Sequence, residues 1–341
     1  MFWRIFDRPR VRLISTPTPL EKAVNISREL GIELYIKRDD VMELAFGGNK
    51  VRKLEFILGE VLDQGYDTVI TRGSYYSNHV RLTAAAACKL GLNVYIVTYP
   101  PTSGAELRYQ GNMLLNIIFG AEIIHVGGPS EADEKMVELK EKLEEKGFKP
   151  YVIPVGGSTP IGVLGYALAA YEIMDQMLKM GKKPRYIIHA TGTGTTQAGL
   201  ILGLKLLGVR GVDVIGVDIE KHEAEHKLVD HIIELANKAA NLLGLTEEIV
   251  NEGDIDIVRE YSFGGYGVAP PELIDFLKEI ARKEGLILEP VYTGKAMYAL
   301  YDLVDKGVIE KGDTVVYIHT GGTPLVFQFA DEFLEKEKRI R

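Results

Sequence analysis

A lysine in the first turn of a helix is an unfavourable place for a cation, and Lys50 is read there. It follows Phe46-Gly47-Gly48-Asn49 and opens a helical pattern carrying Leu54, Phe56 and Leu58. Helix N-termini carry partial positive charge and favour acids, yet Lys50, Arg52 and Lys53 crowd this turn. Such crowding pushes a lysine toward its neutral amine, the form that attacks an aldehyde. A lone lysine is more often a solvated surface group, and the Gly-Gly-Asn context is what argues otherwise.

Three further junctions carry polar residues where a strand gives way to a helix. The run Thr191-Gly192-Thr193-Gly194-Thr195-Thr196 follows a strand ending at His189 and precedes a helix from Leu200 to Leu207. Glycines let the backbone approach closely, and amides and hydroxyls then point at an anion on the helix dipole, which reads as a phosphate cradle. It is not a Walker loop, and Gln197 stands where a dinucleotide fingerprint needs its third glycine; a tight structural turn is the alternative to the phosphate cradle. Ser77-Asn78-His79 follows the strand Thr68–Thr71, so Ser77 reads either as an N-cap or as a carboxylate holder. The pair Glu289-Pro290-Val291-Tyr292-Thr293-Gly294-Lys295 and His319-Thr320-Gly321-Gly322 are polar junctions that ordinary turns also explain.

These junctions need strands and helices to hold them, and the rest of the chain supplies both. Short β-branched runs at 34–37, 68–71, 94–97, 123–126, 151–154, 186–189, 214–217 and 315–318 alternate with helical patterns. Helices are expected at 55–62, 81–90, 134–145, 161–180, 225–243 and 272–284, several ending at a glycine such as Gly91 or Gly285. The alternation predicts an α/β chain with mostly parallel sheets, in which ligands bind at the carboxyl ends of strands. Residues 51–154 contain a complete set of elements and read as a small α/β domain inserted into a larger one made of 1–50 and 155–341.

The bulk properties narrow the partners. A chain of 341 residues that is 46% hydrophobic buries a sizeable core, and a net charge of -8 with no basic patch offers nothing to nucleic acid or anionic lipid. One cysteine, Cys88, excludes an internal disulfide and reads as a buried small hydrophobe. No leader or membrane span is expected, so the cytoplasm and a small-molecule partner are. Abundant Glu and Lys beside scarce Gln and Cys is a compositional bias of proteins from hot environments.

In their joint order these motifs resemble the fold-type II, tryptophan-synthase-β-like enzymes that use pyridoxal 5'-phosphate (PLP). The closer resemblance is to the branch of 1-aminocyclopropane-1-carboxylate (ACC) deaminase and D-cysteine desulfhydrase. It runs through Thr16-Pro17-Thr18-Pro19-Leu20, Lys37-Arg38-Asp39-Asp40, Gly47 to Lys53, Ser77-Asn78-His79, Gly156-Gly157-Ser158, the threonine-rich loop, Tyr292 to Lys295 and His319 to Gly322. The resemblance implies two three-layer α/β domains with PLP in the cleft between them, and a homodimer. It implies that Lys50 bonds the cofactor aldehyde and then shuttles a proton, and that Gly192, Thr193, Gly194, Thr195 and Thr196 hold the phosphate. Asn78 would bond the ring hydroxyl, Ser77 with neighbouring amides the substrate carboxylate, and Tyr292 with Tyr266 would line the substrate face alongside His79. Where the deaminases carry Glu after the tyrosine this chain has Thr293, and where they carry Gln it has His79. A hydroxyl from Thr293 or Thr320 at the ring nitrogen makes a weaker electron sink than a carboxylate, which favours α,β-elimination from a small amino acid such as D-cysteine over ACC deamination.

Two rivals come from other classes. His222-Glu223-Ala224-Glu225-His226 matches the zinc-peptidase pattern, with Glu223 as a general base, although its charged surroundings read as a solvated helix start. A binder that lost its chemistry would not need Lys50. His125 and His189 are expected as satisfied core or strand-end residues, His319 as a neighbour of the site, and 134–146 as a solvated helix face.

Overall fold

The computed structural model describes residues 1–220 and 225–338. The chain enters through β1 (Leu20–Lys22), α1 (Val24–Leu30) and β2 (Glu33–Arg38), and α2 (Lys50–Asp63) begins at the lysine itself. Next come β3 (Thr68–Ser74), α3 (Asn78–Leu90), β4 (Asn93–Tyr99), α4 (Asn112–Ile118), β5 (Glu122–His125), α5 (Pro129–Glu145) and β6 (Pro150–Ile153). The remainder is α6 (Pro160–Lys179), β7 (Tyr186–Thr191), α7 (Thr195–Leu206), β8 (Asp213–Asp218), α8 (Glu225–Leu242), β9 (Asp256–Val258), α9 (Pro271–Glu284), α10 (Thr293–Asp305), β10 (Thr314–His319), α11 (Leu325–Gln328) and α12 (Ala330–Lys338).

The strands form two sheets, one six-stranded in the order β1-β2-β10-β7-β8-β9 and one four-stranded in the order β5-β4-β3-β6. Every pairing is parallel except β1 with β2. Alternation along the strands feeds two cores. Ile187, Val316 and Ile318 face the layer of α2, α6, α7 and α8, while Ile188, Val315 and Tyr317 face that of α1, α9 and α10. The smaller sheet is covered by α5 on one face, through Ile70, Val97, Ala132 and Met136. Its other face, through Val69, Val94 and Ile96, joins the core of the larger sheet by way of α2 and α3. Both sheets are therefore three-layer units of an α/β fold.

Helices start earlier than hydropathy alone indicates because polar first turns carry no apolar signal: α2 begins at Lys50 and α3 at Asn78. The strands β1 and β9, three residues each, and the seven-residue helices α1 and α4 are too short to carry a periodic signal. Cys88 corrects the reading above, since it is exposed on α3. His125 is an exposed strand end against Tyr109, and the α5 face is solvated and laced with Lys135–Glu138 and Lys140–Glu144 pairs.

What fixes α2 is a buried charge cluster. Arg52 grips Asp39 with Nε at 2.9 Å and Nη2 at 2.8 Å, and Glu172 of α6 with both terminal nitrogens at 2.8 and 2.9 Å. Lys37 completes it on Glu172 at 3.1 Å, and the Tyr166 hydroxyl donates to Asp39 at 2.6 Å. Gly165 lets α6 touch α2 here; a Cβ would lie 2.2 Å from the Arg52 carbonyl oxygen.

Removing one partner from such a cluster leaves uncompensated buried charge. Arg52→Met is expected to lower unfolding free energy by about 3–5 kcal/mol in urea titration, whereas Glu21→Gln at the exposed partner of Arg38 changes little. Burial works against ionisation of Asp39 and Glu172, but the Arg52 guanidinium outweighs it and holds both below the ordinary carboxylate range. Their contribution is therefore complete above the unfolded carboxylate value and is lost as pH falls through the depressed folded values, so the Arg52→Met penalty should shrink in acid.

Candidate active site

At the carboxyl ends of strands from both sheets lies a cavity of about 410 Å³. Lys50, Ser77, Asn78, His79, Tyr266, Tyr292 and Thr320 line it together with the loop from Gly192 to Thr196. Residues scattered over nearly the whole sequence thus meet in one place, where the parallel sheets end.

Lys50 reaches the cavity from the start of α2, and its Nζ donates a single long bond to Asn49 at 3.3 Å. It stays accessible from the cavity although protein surrounds it. Burial lowers its pKa to about 8, only partly offset by the Glu220 carboxylate. A usable fraction of the amine is thus neutral near neutral pH, in the direction expected from the sequence but through burial rather than through the crowding of the first turn.

The threonine-rich loop opens α7. Gly194 occupies the N-cap with φ 78°, in the left-handed region, and no side chain caps this helix end. The first amides of a twelve-residue helix are then left to an external acceptor. Thr195 and Thr193 share hydroxyl contacts with each other at 3.3 Å, and Thr195 with Ser158 at 2.8 Å. Asn49 donates to the Thr196 hydroxyl at 3.1 Å and so ties the lysine's helix to the loop. Gln197 is not a failed glycine. It packs over Gly216 and donates to the Val214 and Asp256 carbonyls, stapling β8 to β9.

A second lysine was undervalued by sequence reasoning. Lys53 is 1% exposed, lines the same cavity, and has one weak bond, to the Gly156 carbonyl at 3.4 Å. Burial, then the neighbouring Lys50 charge, pushes its pKa well down. An anion on the loop would restore the ammonium form, so Lys53 is placed to neutralise a phosphate there. The signal was the third cation in one helical turn.

The other wall comes from the start of α3. Ser77 is an N-cap, accepting the Val80 amide at 3.3 Å, and also faces the cavity. The Asn78 amide oxygen accepts from Arg81 at 3.1 Å and Asn112 at 3.0 Å, leaving its NH2 group as what Asn78 can offer a ligand. His79 is 2% exposed and sits 2.9 Å from Thr71. Thr71 spends its proton on the Ile153 carbonyl, so His79 Nε2 carries the hydrogen and Nδ1 is an acceptor without a partner. Burial and both lysines keep this ring neutral.

Tyr266 and Tyr292 meet hydroxyl to hydroxyl at 2.5 Å, and Ser74 donates to Tyr266 at 3.2 Å. Glu289 sets Tyr292. Its carboxylate accepts the amides of Val291 at 2.8 Å and of Tyr292 and Thr293 at 3.1 and 2.7 Å. Burial raises Glu289 to about 7 while those bonds pull it down.

Thr293 corrects one expectation: its hydroxyl is buried on Glu289 at 3.0 Å and is not part of the cavity wall, which leaves Thr320 as the lining hydroxyl. His319 holds the Gly321 amide at 3.2 Å and meets the Ile287 carbonyl, so it shapes the turn after Thr320. His189 is buried, with Nδ1 on the Ala190 carbonyl and Nε2 unsatisfied, against the expectation of a satisfied core residue. His222 and Glu223 lie outside the described residues, and His226 is exposed. Among the described residues no cluster of His, Cys, Asp or Glu could hold a metal.

A helix start that no side chain caps, beside a lysine lowered to about 8 and a weakly bonded second lysine, suits a phosphorylated aldehyde. The chain belongs to the pyridoxal-phosphate dependent enzyme family, whose model matches residues 11–321. It is 40% identical over 329 residues to a putative 1-aminocyclopropane-1-carboxylate deaminase of Pyrococcus abyssi, covering 96% of each chain. It is also 40% identical over 323 residues to the D-cysteine desulfhydrase of Salmonella choleraesuis, covering 94% of this chain and 96% of that one. A solved ACC deaminase homologue superposes with a TM-score of 0.89 at 40% identity over 98% of both chains. The protein is a PLP-dependent enzyme of the lyase type.

Adding PLP to the cofactor-free protein should give a visible band that borohydride fixes onto the Lys50 peptide, and Lys50→Ala should lose the fixed label. Because only the neutral amine attacks, the rate of capture should rise with pH and level off above about 8. Lys53→Met should weaken PLP binding roughly 10- to 100-fold by absorbance titration, the scale of one charge-assisted hydrogen bond.

Proposed function

We propose that this enzyme catalyses deaminating α,β-elimination on a small amino acid, with D-cysteine the substrate of choice. The observation that carries the reading is the composition of the wall around Lys50: a lining hydroxyl, Thr320, and a hydrogen-bonded phenol pair, Tyr266 and Tyr292. The similarity to a D-cysteine desulfhydrase supports it.

When bound, PLP supplies an aldehyde for the substrate amine and a conjugated ring that draws electrons from Cα. The roles assigned to the protein's groups, that of Lys53 aside, are those the resemblance implies, and their shared place on the cavity wall supports them. Gly192, Thr193, Gly194, Thr195 and Thr196 with Lys53 hold the phosphate. The Asn78 NH2 group bonds the ring hydroxyl. Thr320 bonds the ring nitrogen without fixing a full charge there, which suits loss of a good leaving group rather than ring opening. Ser77 and the first amides of α3 hold the substrate carboxylate, with His79 behind them. The neutral Lys50 amine removes the Cα proton. The sulfur would then leave Cβ hydrogen-bonded to the tyrosine pair, and the proton taken up by Lys50 would pass through that pair to it, so that hydrogen sulfide departs with both phenols still protonated. Water hydrolyses the released imine, so D-cysteine and water give pyruvate, ammonia and hydrogen sulfide.

The same reading places the enzyme in the cytoplasm as a homodimer, with 51–154 as a domain inserted between 1–50 and 155–341. The absence of any long apolar helix among the described residues supports the first. Exposed Trp3 stacked on Phe6 offers apolar surface for the second.

Incubation with D-cysteine should release sulfide and pyruvate in equal amounts, and Tyr292→Phe should lower kcat by about 10²–10⁴-fold, the range of one lost acid–base group. Production of 2-oxobutanoate from ACC without sulfide from D-cysteine would transfer the assignment to ACC deamination, which the similarity to a putative ACC deaminase supports.

A further inference from the structure

Lys295 is 0% exposed and stands in the first turn of α10, where the helix dipole again disfavours a cation. Its ammonium has three hydrogens and finds three backbone carbonyls: Ser262 at 2.7 Å, Gly265 at 2.7 Å and Ile219 at 3.5 Å. Burial lowers its pKa to about 8, against the longer-range pull of Glu289, Asp218 and Glu220.

Two of those carbonyls belong to the turn that delivers Tyr266. In it Phe263, Gly264 and Gly265 all have positive φ, at 53°, 98° and 141°. Such a run on that side of the map is costly, and although the Gly265 and Val268 amides close the turn on the Ser262 and Gly265 carbonyls at 3.1 and 3.3 Å, those bonds do not fix its place against β8. The third carbonyl closes the end of β8, and the lysine itself stands three residues after Tyr292. One helix start thus fixes both phenols, Tyr292 through the Glu289 carboxylate and Tyr266 through the Lys295 ammonium.

We propose that Lys295 is a positioning residue, a built-in monovalent cation whose carbonyl cage holds the Tyr266 turn against β8 and so sets the Tyr266–Tyr292 contact. Its part in turnover rests on the elimination chemistry assigned to that tyrosine pair. Without the side chain, the Ser262 and Gly265 carbonyls keep only the amides of their own turn, Gly265 at 3.1 Å and Val268 at 3.3 Å, and the space shaped for one ammonium loses the donor that ties that turn to the Ile219 carbonyl. A free ammonium ion is the direct chemical replacement.

The test uses holoenzyme carrying Lys295→Ala or Lys295→Met, with ammonium chloride compared with tetramethylammonium chloride at equal ionic strength. For Lys295→Ala we expect an unchanged cofactor band, a fall in kcat of up to about 100-fold, the effect of roughly 1 Å of misplacement, and KM within a few-fold of wild type. Ammonium, but not tetramethylammonium, should raise both kcat and Tm of this variant. Wild type should ignore the ion, and so should Lys295→Met, whose side chain fills the cage. If Lys295→Ala folds only with ammonium present, the Tm arm alone supports the proposal. A variant with wild-type kcat, or one that ammonium restores in neither kcat nor Tm, overturns it. A wild-type protein with no cofactor band would sink the elimination reading instead, leaving the Tm comparison to decide the role of Lys295.

Discussion

The grip of Arg52 on two carboxylates at once is the constraint on which the rest depends. Asp39 comes from the segment after β2 and Glu172 from α6, so a single guanidinium two residues beyond Lys50 fixes its helix against two other parts of the chain. Buried ion clusters add little net stability compared with apolar packing, because desolvation offsets their attraction. They do specify one geometry, since any other arrangement strands a charge. Here the geometry specified is that of a reactive amine.

The rest of the cavity repeats the same logic with weaker partners. Lys50 and Lys53 stand in a helix turn that contains no acid, and among the described residues each has only one long hydrogen bond. Arg81 is buried on neutral acceptors, the side chains of Asn78 and Asn112 and the Gly47 carbonyl, and thereby joins the loop before Lys50 to the asparagine that faces the ligand. The site holds cations poorly satisfied by protein and so favours a phosphate-bearing ligand. It also lowers the lysine to the point where the amine can react.

Position across the cleft is shared between the two sheets. Ser77, Asn78 and His79 ride on the smaller one, the threonine-rich loop, Thr320 and both tyrosines on the larger. Asn49 bonded to Thr196, and Ser74 bonded to Tyr266, are hydrogen bonds that link the walls. Relative motion of the sheets would therefore change the distance from Ser77, Asn78 and His79 to the phenols, while Arg52 keeps the Lys50 helix with the larger sheet.

The sequence by itself determined the alternation of strands and helices, because period-2 and helical patterns survive in any order of packing, and it marked each polar junction through glycine and hydroxyl content. It also exposed Lys50, since a cation in a first turn violates a local electrostatic preference. Tertiary structure alone decided which junction residues share a wall. Thr293 and Thr320 look equivalent as letters, but Thr293 is consumed by the buried Glu289 four residues before it while Thr320 faces the cavity. Cys88, written among alanines, lies on the exposed side of α3 because helix rotation is set by the packing of its neighbours. Lys53 stands in a crowded first turn and Lys295 in a polar junction, but neither position says that the lysine is buried, and burial is a property of the whole chain that no local spacing encodes.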